Sequence, residues 1–402
     1  MTALLLIAAQ AIPWYLFPGS KAGVNVPAKT QEDTVKVAAA PVVPEVIAPR
    51  DSVAAPKDTF RLDIPETVRI SVLLPFRAAS GYDEGTVDFY SGALMAAREL
   101  GEEGIKIEIN AYDSSSGAIP EECFSGDIIL GPVAEKEISA ATKSLPDGKW
   151  LVSPLEPRAC ALCDSLRVIQ LPTSVSAQYL DLACWAGEES NPNDRIFILA
   201  NTEERNQDLE AVTSKLDSLG LKYTLKKDIS EYNNPSTAER LREGAGTFRF
   251  ILVSDSEPYI GECIRKVRVM SMLKFDVALY ALSKVRSIET INVEHLHNCS
   301  ARISSTYYVN YSSPEVRRFV YSYRALFNGE PNSFAFDGYD AVRYLVSVCR
   351  QYGRMWPLKI GEFNSRGLQM NFGFDSAGKA GAVNTATVRF IYNPDYSVLK
   401  VK

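Results

Sequence analysis

The chain has 402 residues, with 43 Lys and Arg against 49 Asp and Glu, a formal net charge of −6. Its length predicts two or three domains at roughly 150 residues each, and 46% apolar with 23% charged residues excludes disorder throughout and a polytopic membrane protein. An acidic chain lacks a basic footprint for nucleic acid, two histidines, His295 and His297, leave little room for His-based catalysis, and seven cysteines allow one or two bridges in an oxidising compartment but no disulfide scaffold.

Residues 1–22 form a signal-like apolar segment. Its run at 3–17 (ALLLIAAQAIPWYLF) is broken by Gln10 and Pro13 and falls short of the about 20 residues of a membrane span. It fits the apolar part of a secretory signal, with Ala9-Gln10-Ala11 as a small-residue cleavage site, although no Lys or Arg precedes it. Export is the reading carried forward; a retained N-terminal membrane anchor and an unexported chain stay open. The first cysteine is Cys123, so no lipidation cysteine follows the run. Residues 23–66 are a Pro/Ala-rich linker with no aromatic before Phe60. Such a composition buries no core and reaches at most about 135 Å in polyproline geometry. A tether is expected.

From residue 68 strands and helices alternate. VRISVLLPF at 68–76 reads as a buried strand, and Val87, Tyr90, Leu94, Ala97 and Leu100 recur at helical spacing up to Gly101. Strands at 105–112, 127–133 and 150–153 and a helix at 135–145 complete β-α-β-β-α-β, a parallel sheet wrapped by helices. A second unit repeats the logic, with strands at 168–171, 195–200, 223–228, 248–254 and 275–281. Its helices fall at 174–186, capped by Ser174, and at 209–219, 237–243 and 259–270. A strand at 303–310, two helices carrying Phe319 and Tyr339, and β structure from Gly367 close the chain.

This order resembles the type I periplasmic solute-binding proteins, the leucine/isoleucine/valine-binding branch of ABC transporter substrate-binding proteins, over roughly residues 68–400. The resemblance rests on ISVLLPF at 70–76 with FYSGALMAARELG at 89–101, Tyr112-Asp113-Ser114, and IILGPV at 128–133. It rests further on FVYSYRALFNGEPNSFAFDGYDAVRYL at 319–345 and GLQMNFGFDSAGKAGAVN at 367–384. It implies an α/β fold, a two-lobed type I clamshell, each lobe a parallel sheet flanked by helices. Lobe 1 would hold 68–172 and 312–356, and lobe 2 would hold 173–311 and 357–402. It also implies a non-catalytic protein of the periplasm or cell envelope, without a cofactor, that closes on a small polar solute. Its partners would be a membrane transporter or another envelope protein. Two departures stand out. Residues 116–127 are too few for the family's helix, and Gly131-Pro132 is followed by Val133, Ala134 and Glu135, where amino-acid binders place a hydroxyl. The alternative is therefore a ligand-free clamshell that docks on envelope machinery such as that of cell-wall synthesis.

In open parallel sheets ligands sit at the C-terminal strand ends. The ligand-binding candidates there are Gly131, Ser153, Thr173, Asn201, Thr202, Ser254, Asp255 and Tyr280, with ordinary helix capping as the competing role of the polar ones. Asp255 and Ser153 are expected to face one another across the cleft. Cys160 and Cys163 form a CxxC placed in a loop rather than at a thioredoxin-like helix start, so a local bridge or plain thiols are expected. Cys184, Cys263 and Cys349 are expected to be buried and unpaired. His295, His297 and Cys299 would share a face only on a strand, where zinc could bind. Asp337 with Asp340 and Asp255 with Glu257 are carboxylate pairs whose separation the sequence does not give.

Overall fold

The structure, a computed structural model, describes residues 63–77, 81, 83–201 and 207–401. The signal-like segment, all but the last four linker residues, and Thr202 lie outside them. No helix among the described residues is long and apolar enough to cross a membrane.

Five strands and their helices open the body: β1 (Thr67–Leu74), α1 (Glu84–Glu102), β2 (Lys106–Asp113), β3 (Ile128–Leu130), α2 (Glu135–Lys143), β4 (Leu151–Ser153), α3 (Cys160–Cys163) and β5 (Val168–Gln170). The strands pair in parallel in the order β2-β1-β3-β4-β5. The series then repeats with α4 (Val175–Glu189), β6 (Arg195–Leu199), α5 (Gln207–Ser218), β7 (Tyr223–Lys226), α6 (Pro235–Arg242), β8 (Phe248–Leu252), α7 (Glu257–Met272), β9 (Val277–Leu282), α8 (Val293–Asn298) and β10 (Arg302–Ser305). Its parallel order is β7-β6-β8-β9-β10. Both sheets are doubly wound, with the order reversing beside the first strand. Where helices cover both faces, strands read as continuous apolar runs, and FRFIL of β8 is buried at every position.

Three helices follow, α9 (Pro314–Phe327), α10 (Ser333–Tyr352) and α11 (Trp356–Lys359). Then come β11 (Ser365–Arg366), β12 (Asn371–Phe372), β13 (Phe374–Asp375), β14 (Ala382–Asn384), β15 (Val388–Tyr392) and β16 (Val398–Val401). The tail, expected whole in lobe 2, divides. Ala382 and Val383 of β14 pair in parallel with Ile169 and Gln170, and β13 lies outside β14, so both join the first sheet. β15 runs antiparallel to β10 and β16 to β15, completing the second. Each sheet has seven strands. The chain therefore passes between the sheets at 171–174, 306–313 and 385–387. The strand expected at 303–310 stops at Ser305 because the rest is the middle crossover.

Helices α9 and α10 pack into the first core with β1 and α1, although the second sheet precedes them in sequence. Helices α1 and α10 approach each other closely. A Cβ on Gly92 would stand 1.9 Å from the carbonyl oxygen of Ala335, and one on Gly338 would stand 1.9 Å from that of Phe89. Only glycine at both positions lets the two helices meet at that distance. Residues 116–127 hold a single 3₁₀ turn, Glu121–Ser125, in place of a helix, as their number dictates. The last linker residues are bound to the first lobe: the Arg354 amide donates to the Asp63 carbonyl at 3.1 Å.

Candidate functional site

The crossovers are tied to one another by buried polar side chains. Thr173 is buried and its hydroxyl donates to the Ala386 carbonyl at 2.5 Å, joining the first crossover to the third. Asn384 uses its whole amide. Its nitrogen donates to the carbonyls of Leu171 (2.8 Å) and Asn371 (2.9 Å), and its oxygen accepts from the amides of Gly373 and Ala386, both at 3.1 Å. Asp340 is buried on α10, and its carboxyl accepts from the backbone amides of Leu368 (2.7 Å), Gln369 (2.8 Å) and Met370 (2.9 Å). The Gln369 carbonyl in turn accepts from the amide of Tyr308 in the middle crossover, at 2.9 Å. The carboxylate pair of Asp337 and Asp340 is thus a clamp on the 367–370 loop. Burial pushes Asp340 up to about 6 against the pull of those three amides, and it pushes Asp337, which accepts from the Gln369 side chain at 2.6 Å, up to about 7.

The candidates at the strand ends have separate fates. Gly131 ends β3 at φ 110°, its amide already donates to the Val152 carbonyl at 2.7 Å, and a Cβ there would meet the Leu73 carbonyl oxygen at 1.9 Å. It supports close strand packing and offers no free N–H. Thr173 is the crossover tie. Asn201 is half-buried at the end of β6 and has a partner of its own. The Ser254 hydroxyl accepts from the Ser256 amide at 3.1 Å, a local turn bond ahead of α7, whose N-cap position is held by Ser256. Asp255 is exposed ahead of α7, and its backbone carbonyl accepts from Lys284 Nζ at 2.9 Å.

Tyr280 lies inside the second lobe instead of at a strand end. It is fully buried on β9, where its hydroxyl donates to Glu189 Oε2 at 2.7 Å and accepts from Arg249 Nη1 at 2.7 Å. Burial and the neighbouring Glu189 carboxylate raise it above the usual tyrosine range. Arg249 also binds Asp194 (2.8 Å), and Arg302 binds Glu189 (3.0 Å), so every charge in this cluster has an opposite partner. The sequence argument missed it because a strand end and a strand interior differ by only two residues.

Ser153 is different. It is buried at the end of β4 and its hydroxyl has no hydrogen-bond partner. It stands in register with Gln170 at the end of β5, which is also buried. The Gln170 nitrogen donates to the Pro172 carbonyl at 2.8 Å, while its side-chain oxygen has no partner. The two side chains share the face on which Leu151 and Val168 pack, two residues back along their strands. A third buried hydroxyl without a partner, Ser114, follows β2. Buried polar atoms are ordinarily satisfied, so this rim of the first sheet holds donor and acceptor capacity that the protein does not use. Gln170 was not a sequence candidate, because a lone Gln ending a strand carries no pattern.

All seven cysteines are free thiols. Cys263 and Cys349 are buried, whereas Cys184 is half-buried. The CxxC is a single helical turn beside Cys123 in one apolar cluster, and burial pushes Cys123 up to about 11 and Cys163 up to about 12, which keeps both thiols protonated. His295 and His297 lie on α8 and Cys299 caps it, so the strand face that zinc would need is not formed. His297 Nδ1 pairs with the Asn393 carbonyl at 2.7 Å. Among the described residues no group of three or more His, Cys, Asp or Glu could hold a metal ion.

No protein family matches the chain, and no curated protein does. Solved structures match over most of it. A branched-chain amino acid ABC transporter protein from Rhodospirillum rubrum superposes with a TM-score of 0.55 at 13% identity, over 83% of this chain and 100% of that one. A branched-chain amino acid transporter of ABC type from Rhodopseudomonas palustris gives 0.53 at 13% identity, over 83% and 96%. The C-domain of LpoA from Haemophilus influenzae, a regulator of PBP1A, gives 0.52 at 14% identity, over 83% and 100%. The chain has the two-lobed fold of the type I periplasmic solute-binding proteins.

Proposed function

We propose that the protein is a non-catalytic binding protein of the cell envelope that closes its two lobes on a small polar solute, such as an amino acid, a peptide or a cell-wall fragment. The observation that carries this is the paired Ser153 hydroxyl and Gln170 carbonyl oxygen, buried side by side at adjacent strand ends without protein partners. One can donate and the other accept, which suits a ligand that offers both. On the second lobe we assign the cationic group of the solute to Asp255, exposed in the turn between β8 and α7. The three crossovers act as the hinge, and closure is favoured by contacts that only the closed state makes. Export of the chain and handover to a membrane transporter are part of this reading. The division into lobes is 68–172, 312–356 and β13–β14 for the first, and 175–305 with β15–β16 for the second.

A thermal-shift screen of amino acids, short peptides and cell-wall fragments tests it. A ligand at about 100 times its Kd stabilises the native state by about 2.7 kcal/mol, and at least one compound should do so while making the protein more compact in solution scattering. No hit and an unchanging scattering profile overturn the reading.

A second reading has its own observation. Val133, Ala134 and Glu135 put no hydroxyl after Gly131-Pro132, and the C-domain of LpoA, a regulator of PBP1A, shares the fold. In that case the clamshell docks on envelope machinery without a solute, and the linker holds it away from the membrane.

A further inference from the structure

A groove of about 960 Å³ lies among α1, α9, α10 and the β11–β12 hairpin, and it contains none of the strand-end candidates. Its acidic groups are occupied. Arg343 binds Glu99 (3.3 Å) and Glu103 (2.9 Å), and Arg98 binds Glu102 (3.1 Å). Asp340 is held by backbone amides, and Glu315 sits in the first turn of α9, where the helix favours a carboxylate. Its basic groups are not all occupied. Arg366 on β11 and Lys400 on β16 both line the space, and neither has a carboxylate partner among the described residues. Lys400 Nζ stands 4.3 Å from the centre of the Tyr308 ring, and that ring packs at a tilt of 49° against Phe390 at 5.2 Å, directly across from Lys400 in the sheet register. Arg366 and Lys400 are both exposed, and partial desolvation together with the Arg366 guanidinium holds the Lys400 ammonium below the usual lysine range. The fold therefore places two cations on one groove, Lys400 over an aromatic ring, without an internal counter-charge.

We propose that Arg366 and Lys400 form an oxyanion site beside the crossovers, separate from the cleft, that takes a phosphate or carboxylate group carried on a small molecule. Arginine and lysine side by side are the ordinary means of holding such a group, and the groove is larger than an inorganic anion needs. The two residues ride on different lobes. β11 pairs with β12, whose Phe372 is in the first core, while Lys400 belongs to the second sheet. A bound oxyanion therefore favours the lobe arrangement that keeps both cations on it, whether or not the cleft is filled.

The test uses the full chain, titrated separately with sodium phosphate and sodium citrate against sodium chloride at matched ionic strength, with the melting temperature as readout. A saturable rise with either anion is expected. The rise should weaken at least about tenfold in Arg366→Gln and in Lys400→Gln and vanish in the double variant, while Lys400→Arg keeps it. In chloride the Gln variants should melt at or above the parent, because a repulsion is removed, so loss of the shift is not loss of folding. A response to phosphate alone assigns a phosphoryl group, to citrate alone a carboxylate group, and to both an oxyanion of either kind; each supports the site. Equal rises in the parent and the double variant, or no saturable rise with either anion, overturn it.

Discussion

The two lobes share a strand order, and one group of polar side chains in each shows an opposite arrangement. In the second, buried Arg249 and Tyr280 and half-buried Arg302, Glu189 and Asp194 form a network in which each member has a partner. In the first, Ser114, Ser153 and Gln170 bring buried polar atoms to the C-terminal ends of their strands and leave them unpartnered. Position decides the meaning. A closed network within a sheet holds a structure together, whereas unused donors and acceptors at strand ends are what a ligand or water completes. The helices differ in the same direction. The first lobe replaces a helix with one 3₁₀ turn between β2 and β3, where the second keeps α6 between β7 and β8.

The largest effect should come from breaking the closed network. Arg249→Met leaves Asp194 without its cation and Glu189 with Arg302 alone, and denaturant unfolding should show a loss of about 3–5 kcal/mol. In the first lobe, Gly338→Ala drives a methyl into the Phe89 carbonyl at the α1–α10 contact. It should cost about 3 kcal/mol, chiefly through overpacking. Asn384→Ala frees two carbonyls and two amides at the crossovers, and a loss of about 1–3 kcal/mol is expected. If that variant also alters closure in solution scattering, the crossovers act as the hinge. Ser153→Ala should do the reverse of Arg249→Met. Deleting a hydroxyl without a partner leaves stability unchanged within about 0.5 kcal/mol or raises it, yet it should remove any solute-dependent shift. A stability loss comparable to that of Asn384→Ala would show that Ser153 is structural.

Acidity offers a smaller contrast. Asp337 holds its proton more tightly in the folded chain, with a pKa of about 7, than in the unfolded chain, where a carboxyl titrates near about 4. Its stabilising contribution is complete below about pH 4 and is lost as pH rises to about 7. Asp337→Asn keeps an acceptor for Gln369 and carries no charge, so its melting temperature should fall less than the parent's between pH 5 and pH 8.

Much of the fold was legible because two sheets of buried apolar runs separated by amphipathic helices leave a period that survives without relatives. FYSGALMAA and FAFDGYDA stood out for a reason the structure supplies: Gly92 and Gly338 sit at one helix contact, and Asp340 clamps the loop that GLQM forms. The split of the tail was not legible, since short strands carry no mark of which sheet they join. The site was read less well. Position along a strand put forward Ser153 and Tyr280 alike, and the side chain of Tyr280 points into a core that only the three-dimensional pairing reveals. Gln170 and the Arg366–Lys400 pair depend on register and on crossovers far apart in sequence, which no local pattern encodes.

The claim that the first-lobe rim awaits a polar solute is met most directly by native mass spectrometry of the protein as purified, beside its Ser153→Ala, Gln170→Ala double variant. A small polar molecule retained by the parent and absent from an equally stable double variant is the predicted result. A parent that carries nothing after exposure to amino acids, peptides and cell-wall fragments, or a molecule held equally by both proteins, would contradict it.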